Sequence, residues 1–196
     1  YAAQNQNKPG DVGVMFFTQL GLATPEFWLG ILLMLLFAVQ WGIFPAGGFP
    51  GWDKTFWGSI QALILPSFAL GVIRASILTR LTRSSMLDVL REDYVRTARA
   101  KGLKERTVVY YHALRNALIP VLTILGLQLG HLLAGAIIIE NVYYLPGLGR
   151  LVFLAIGQRD LPVVREIVLF MAAAVVMINF IVDLAYAAVD PRIRLK

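Results

Sequence analysis

Cysteine is absent from this chain of 196 residues, and histidine and charged residues are scarce. Without cysteine, the sequence excludes disulfide bonds, thiolate metal ligands and a cysteine nucleophile. Charged residues form 15% of the chain, compared with about a quarter in soluble domains, and the mean hydropathy is +0.67. This composition predicts an integral membrane protein. The chain begins with Tyr1, and no basic segment with a cleavage site precedes the first apolar run, so we expect no signal peptide and a fragment or processed form.

Motifs for nucleotide binding and catalysis are also missing. The segment "PGWDKT" has the Lys-Thr pair of a phosphate loop but no Gly before the Lys, and "PGLGRL" lacks the third Gly of a dinucleotide fingerprint. The two histidines, His112 and His131, form no H-E-x-x-H motif. We therefore predict no catalytic residue, no metal site and no cofactor bound by this chain. For His131 we expect a helix-packing hydrogen bond rather than a place in a pathway.

Four apolar runs are each long enough to form a membrane-spanning helix of about 20 residues. Pro25 and Glu26 precede the first run, where the chain should kink or surface, and Pro66 should interrupt the second. Arg74 lies close enough to the end of the second run to extend its charge to the interface. A single all-α transmembrane domain over 1–196 is therefore predicted, with spans at 27–44, 59–78, 118–139 and 166–189.

Basic residues set the predicted orientation, because Lys and Arg of short loops stay on the cytoplasmic side. The connection between the first and second spans holds only Lys54, and the one between the third and fourth spans holds Arg150, Arg159 and Arg165. We expect the segment 80–117 and the C-terminus to be cytoplasmic, and we interpret the net charge of +6 as loop charge. The connection between the second and third spans holds Arg80, Arg83, Arg91, Arg96, Arg99, Lys101, Lys104, Arg106 and Arg115.

The basic connection has the pattern of a helical hairpin. Over 86–101 apolar residues recur at steps of three and four, with charged residues between them, which predicts an amphipathic helix. It should end at Gly102, which tolerates a left-handed conformation, and a second helix over 104–117 should end near Pro120. The predicted apolar face consists of Leu87, Leu90, Tyr94 and Ala98.

Three functions fit such a hairpin. A DNA-binding helix-turn-helix is one, but both ends are tethered to spans a few residues away, so we predict no nucleic-acid partner. A solvated loop that only satisfies topology is the second. A loop of this length with a glycine-punctuated amphipathic pattern usually has structure and a task of its own, and docking to a partner protein is favoured.

Four motifs in order resemble a known family: "EDYVRTARAKGL", "HALRNALIP", "IIIENVYYLPGLGRL" and "DPRIR". The chain resembles the inner-membrane permease subunit of bacterial-type ABC importers, in the dipeptide and oligopeptide branch that includes nickel transporters. The resemblance runs from "TPEFWLGILL" to the C-terminus. Members of this branch usually have one or two spans ahead of where this chain starts, so we expect those spans to be missing here. The resemblance implies a transmembrane helical bundle with a cytoplasmic coupling hairpin over about 84–117.

The first two motifs correspond to the EAA loop of that family, which seats in a groove of a cytosolic ATPase. The family core is Glu-Ala-Ala, three residues and Gly, and here these positions are Arg96, Thr97, Ala98 and Gly102. The Glu is replaced, which is usual for the peptide branch and removes a carboxylate role at that position. The resemblance implies ATPase coupling for Tyr94, Arg96, Thr97, Ala98, Lys101, Gly102, Leu103, His112, Leu114, Asn116 and Pro120.

Pathway or gate candidates lie at the outer turn and in the last span. Glu140 could contact substrate or a binding protein, although a local cap or a salt bridge with Arg150 is favoured. Asp183 could act as a gate or pair with a basic residue of the tail. The loop after the third span predicts a helix along the outer surface, where it would dock a binding protein or anchor in the interface. The candidates are Glu140, Tyr144, Pro146, Gly147, Gly149 and Asp183.

We interpret the chain as one permease subunit of an ATP-driven importer for di- or oligopeptides in a prokaryotic inner membrane. The resemblance implies a second, similar permease subunit, two cytosolic ATPases that bind ATP and Mg, and an extracytoplasmic solute-binding protein, besides membrane lipid. The alternative is a non-transporting membrane scaffold whose basic loop recruits a soluble partner. A membrane enzyme is a third possibility.

Overall fold

The structure is a computed structural model that describes residues 1–189, except for the side chains of 183 and 185–189. Every regular element in this part of the chain is helical, so the predicted all-α class is confirmed. Two π-helical segments, Met34–Gln40 and Val108–Leu114, continue neighbouring helices. The α-helices are α1 (Pro9–Ala23), α2 (Glu26–Leu33), α3 (Phe56–Leu90), α4 (Asp93–Ala100), α5 (Glu105–Thr107), α6 (Arg115–Val142), α7 (Leu148–Gly157) and α8 (Leu161–Val189).

Within residues 1–189, three helices are long and apolar enough to cross a membrane. They are Phe56–Leu90, Glu105–Val142 and Leu161–Val182. The pair α1 and α2, broken between Ala23 and Glu26, would be a fourth. Pro25 has no N–H to donate and stands before α2 in an extended conformation, which explains the expected kink. The first span was predicted to reach Phe44, but its helical part ends at Gln40.

Pro66 does not interrupt α3, contrary to the prediction. It lies buried inside a helix of 35 residues. A proline costs a spanning helix a single backbone hydrogen bond, which neighbouring groups can replace, so one Pro is tolerated there. Because α3 continues to Leu90, the amphipathic helix predicted over 86–101 is also wrong. The chain turns at Arg91 and Glu92, and α4 starts at Asp93.

The second predicted hairpin helix does not end near Pro120. Helical structure continues from Glu105 through the π-helical segment Val108–Leu114 into α6, with Pro120 inside α6. Proline was expected to end the helix. In an apolar membrane helix, neighbouring groups can replace the one backbone hydrogen bond that Pro120 removes, so the helix continues.

The chain divides into two compact units, which we describe separately. The first comprises 1–22, 75–127 and the residues from 181 on. Its cores are small and lie around the hairpin: Val95, Ala98 and Val108 form one, and Met86, Val109, Ala113 and Ala117 form the other. In the same unit, Gly126 of α6 leaves space for Val182 of α8, as expected for small residues between membrane helices.

The second unit comprises 23–74 and 128–180. Tyr143 is its largest fully buried side chain, and its hydroxyl donates a hydrogen bond of 2.8 Å to the Gly30 carbonyl. Burial raises the pKa of Tyr143 to about 12, so the phenol keeps the proton that it donates. A Cβ at Gly30 would lie 3.1 Å from Ile139, so glycine permits this close approach of α2 to α6. The buried core is Leu33, Leu65, Ala69, Ile139, Tyr143 and Leu145.

Candidate functional site

The hairpin begins with a short helix that ends in a glycine turn. At the end of α4, the Gly102 N–H donates to the Arg99 carbonyl at 2.9 Å, and the Leu103 N–H donates to the Ala98 carbonyl at 3.4 Å. These two bonds form a Schellman motif, which needs a left-handed residue at the position of Gly102. Gly102 has φ +77°, so the predicted left-handed glycine is confirmed.

One side of α4 packs against the start of the helix that follows the turn. Val95 and Val108 are fully buried and Ala98 is 6% exposed. Tyr94 and Ala98 were predicted to share one apolar face, but Tyr94 is 42% exposed whereas Ala98 is buried. The turn at Arg91 and Glu92 changes the helical phase, so the periodicity counted from Leu87 does not continue into α4.

Tyr94 and the "HALRNALIP" segment meet through polar contacts. The Asn116 side-chain amide donates to the Tyr94 hydroxyl at 2.8 Å and to the His112 carbonyl at 3.0 Å. His112 takes part through its main chain, while its ring meets the Tyr111 ring edge-on at 5.3 Å between centroids. The structure thus joins residues that lie 22 positions apart in the sequence.

An ion pair closes the turn from its other side. The Arg99 guanidinium donates to both oxygens of the Glu105 carboxylate, at 2.9 and 3.1 Å. Arg99 lies in the last turn of α4, and Glu105 is the first residue of α5. This pair is bidentate, the geometry that makes arginine and carboxylate contacts directional. The pair was not predicted, although two opposite charges six positions apart on either side of a predicted turn are a usable signal.

The other coupling candidates are distributed over the hairpin. Arg96, Thr97, Lys101 and Leu103 are exposed. Leu114 packs beside the cluster of Met86, Val109, Ala113 and Ala117. Pro120 lies exposed on α6, four residues beyond Asn116.

Two exposed tyrosines of the hairpin were missed. Tyr110 and Tyr111 are 62% and 66% exposed and lie in the π-helical segment. Segments with π-helical turns are frequent at functional sites. Together with Tyr94 and Leu103 they give the basic hairpin a set of exposed apolar side chains, which a soluble partner could cover.

The turn between α6 and α7 is built around Glu140. One oxygen of its carboxylate accepts a hydrogen bond from the Arg150 backbone N–H at 3.0 Å, in the first turn of α7. A carboxylate at a helix N-terminus satisfies an otherwise free donor and opposes the positive helix end. This is the local cap that was favoured for Glu140. Gly147 and Gly149 both lie against this carboxylate, where a Cβ would collide with it.

The Glu140 carboxylate does not form the suggested salt bridge with the Arg150 guanidinium. The Arg150 guanidinium instead donates to the Tyr144 carbonyl at 2.8 Å and lies 5.1 Å from the centre of the Tyr144 ring. Tyr144 is 63% exposed and has φ +54°, and Pro146 beside it is exposed. A cavity of about 150 Å³ opens beside Glu140, lined largely by apolar side chains that include Leu133 and Phe170.

A buried polar network that the sequence analysis missed links α2, α3 and α6. The Arg74 guanidinium donates to Glu26 at 2.5 Å, to the Gln128 side chain at 3.3 Å and to the His131 carbonyl at 3.4 Å. The Arg74 and Glu26 side chains are each 17% exposed. Arg74 was predicted to extend to the interface, which is wrong. The signal was available, since charges within apolar runs pair with one another.

A second ion pair lies in the first unit. Arg83 donates to both oxygens of Asp11, each at 2.6 Å, and Asp11 is 2% exposed. The gate candidate Asp183 lies outside the residues whose side chains the structure describes. Among the side chains that the structure describes, no three from His, Asp or Glu cluster as metal ligands would.

Comparison with known proteins places these features in context. The family profile described as "Binding-protein-dependent transport system inner membrane component" matches residues 1–195. The di/tripeptide transport system permease protein DppB of Pseudomonas aeruginosa is 45% identical over 213 residues, which cover 98% of this chain and 63% of that protein. The oligopeptide transport system permease protein AppB of Bacillus subtilis is 46% identical over 185 residues, covering 93% and 58%.

The dipeptide transport system permease protein DppB of Escherichia coli K12 is 44% identical over 199 residues. These cover 90% of the present chain and 59% of the relative. The chain therefore spans somewhat less than two thirds of the length of each of these relatives.

Proposed function

Since the chain belongs to the family of binding-protein-dependent transport system inner membrane components, we propose that it is a permease subunit of an ATP-driven importer of peptides. The family match over 1–195 carries the proposal, and three apolar helices of spanning length agree with it. Relatives named as di/tripeptide, oligopeptide and dipeptide permeases support peptides as the substrate class.

The hairpin of α4 and the following helix is proposed as the contact with a cytosolic ATPase. Its exposed side chains, Tyr94, Leu103, Tyr110 and Tyr111, would be covered by that partner. The chain has no phosphate loop, so ATP and Mg would be bound by the partner. Force applied at α4 would reach α6 because helical structure is continuous from Glu105 to Val142.

The remaining partners follow from the same proposal. A second permease subunit would complete the pathway, two ATPases would drive it, and an extracytoplasmic binding protein would deliver the peptide. The segment 80–117 and the C-terminus would face the cytoplasm, because the basic residues concentrate there. Lipid would cover the apolar side chains of α8, such as Leu169, Phe170 and Phe180, which are 57 to 62% exposed.

Co-purification tests the function directly. We expect the full-length protein, purified from its own cells in mild detergent, to carry an ATPase with a phosphate loop. In proteoliposomes, hydrolysis by this complex should rise when a peptide-loaded binding protein is added. A soluble partner without a phosphate loop would instead support the membrane scaffold that recruits a protein through its basic loop.

Orientation can be tested by cysteine labelling, since residues 1–196 contain no cysteine. A cysteine at Lys54 should react with an impermeant thiol reagent added outside the cell, and one at Lys101 should react only after permeabilisation. The reverse pattern would contradict the proposed orientation.

The turn around Glu140 is proposed to dock the binding protein. Tyr144 and Arg159 are both exposed and both have positive φ values, 54° and 58°, which hold the ends of α7 in defined turns. A photo-crosslinker at either position should capture the binding protein in the reconstituted complex. Crosslinks to lipid alone would mean that the turn is an interfacial anchor.

A further inference from the structure

Two contacts attach α4 to the same following helix, one at each end. Tyr94 in the first turn of α4 meets Asn116, and Arg99 in its last turn meets Glu105. Glu105 opens the helix that continues to Val142. The Gly102 turn, which the Arg99–Glu105 contact spans, is exposed. A Cβ there would meet no atom of the described residues within 4 Å. A glycine turn that is free of packing can act as a hinge.

Attachment at two points removes the freedom of that hinge. A helix of eight residues is about 12 Å long, and contacts at both of its ends determine its direction as well as its position. The apolar contact of Val95, Ala98 and Val108 lies between them and holds α4 close to its neighbour. Small apolar side chains restrict rotation weakly, whereas a bidentate ion pair is directional.

Stability does not explain the ion pair. The Arg99 and Glu105 side chains are 40% and 57% exposed, and exposed pairs contribute little to folding free energy. The Arg99 guanidinium donates to both oxygens of the Glu105 carboxylate across the turn. In this position the ion pair opposes bending of the turn.

We propose that the Arg99–Glu105 ion pair, assisted by the Tyr94–Asn116 hydrogen bond, is a positioning contact that keeps α4 from pivoting at Gly102. Movement of a partner bound to α4 then passes to the helix Glu105–Val142 instead of being lost in the turn. This inference rests on the proposed function, because it needs an ATPase that moves α4.

The test exchanges the charges in the full-length permease within its reconstituted complex. Arg99→Glu and Glu105→Arg each place like charges across the turn, and the double exchange restores an ion pair with the order reversed. We expect each single variant to retain the ATPase and its basal hydrolysis but to lose about two- to fivefold of the stimulation by peptide-loaded binding protein, the factor that corresponds to an exposed pair. The double exchange should recover most of the loss.

Two further variants sharpen the test. Tyr94→Phe removes only the hydroxyl and should reduce stimulation in the same direction by a smaller factor. The matched control is the pair Arg165 and Glu166, an ion pair of 2.8 Å on α8 with both side chains more than half exposed. Exchanging these two charges should leave stimulation unchanged.

Three results would overturn the proposal. Normal stimulation in both single variants would show that the pair does not restrain the turn. Loss in the single variants without recovery in the double exchange would show that each residue contacts something else, such as the ATPase itself. If no ATPase is associated with the wild-type protein, the proposed function is wrong and this inference is wrong with it. That failure differs from a failure of the inference alone, because it is seen in the wild type without any variant.

Discussion

Two glycine turns, one at Gly102 and the other at Gly147 and Gly149, require glycine for opposite reasons. At Gly102 the backbone has φ +77°, and a Cβ would enter open space as far as the described residues show. At Gly147 φ is −117°, which any residue adopts, but a Cβ would collide with the Glu140 carboxylate. At Gly149 a Cβ would meet the backbone of Ile137. The first turn needs a conformation, and the second needs space.

The difference determines how each turn tolerates substitution. A left-handed backbone penalises an L-residue by about 1 to 2 kcal/mol, and asparagine less than others. A collision with backbone atoms has no such exception, because packed helices cannot move apart without losing contacts elsewhere. The turn at α7 should therefore be the less tolerant of the two.

The largest effect is expected for Gly149→Ala. Its Cβ would overlap the Ile137 backbone, and relief requires α7 to shift from α6. We expect a loss of about 1 to 3 kcal/mol in folding free energy, the range for overpacked cores, measured as lower thermal stability in detergent. Gly157→Ala is the control on the same helix, since a Cβ there meets nothing in the described structure. Equal stability of the two variants would contradict the steric explanation.

Gly147→Ala should cost less, because the colliding group is a side chain. Displacing the Glu140 carboxylate breaks its bond to the Arg150 N–H, and loss of a helix cap costs about 0.5 to 2 kcal/mol. Glu140→Ala should cost a similar amount. Adding Gly147→Ala to Glu140→Ala should then cost almost nothing more, because the obstacle is gone. Additive losses in the double variant would show that the two residues act independently.

Gly102→Val should have little effect on stability in the membrane but a clear effect on coupling. The cost of about 1 to 2 kcal/mol falls on the turn, so the hairpin would change direction while the spanning helices still assemble. We expect normal expression and at least a fivefold loss of peptide-stimulated hydrolysis. Gly102→Asn is the matched control, since asparagine adopts the left-handed region, and it should retain most of the stimulation. Normal coupling in Gly102→Val would indicate a loop that serves topology alone.

The smallest effect is expected for Lys104→Ala. Lys104 is exposed beside the Gly102 turn, and substitutions at such positions usually change folding free energy by less than about 0.5 kcal/mol. Stability and stimulated hydrolysis should both remain within error of the wild type. A large loss of coupling would show that this lysine itself contacts the partner, and the restraint of the turn would then not be the main contribution of the hairpin.

Predictions from the sequence were accurate where one residue has one physical consequence. Gly102 was expected in the left-handed region at a helix end, and Pro25 was expected to break the chain before α2, and both expectations hold. They failed where a local signal competes with a longer element. Pro66 and Pro120 predicted helix breaks, but both prolines lie inside long helices. The helical period counted from residue 86 to residue 101 did not reveal the turn at Arg91 and Glu92.

By itself, the sequence determined the all-α membrane class, the family resemblance and the glycine turn of the hairpin. These follow from composition, ordered motifs and single-residue conformational preferences, which need no knowledge of neighbours. Only the tertiary structure decided which charges meet. Arg74 pairs with Glu26 across 48 positions of the sequence, and Arg83 pairs with Asp11 across 72. In an apolar setting, a nearby opposite charge is a better partner than distant water. Which helix supplies that charge depends on how the helices pack.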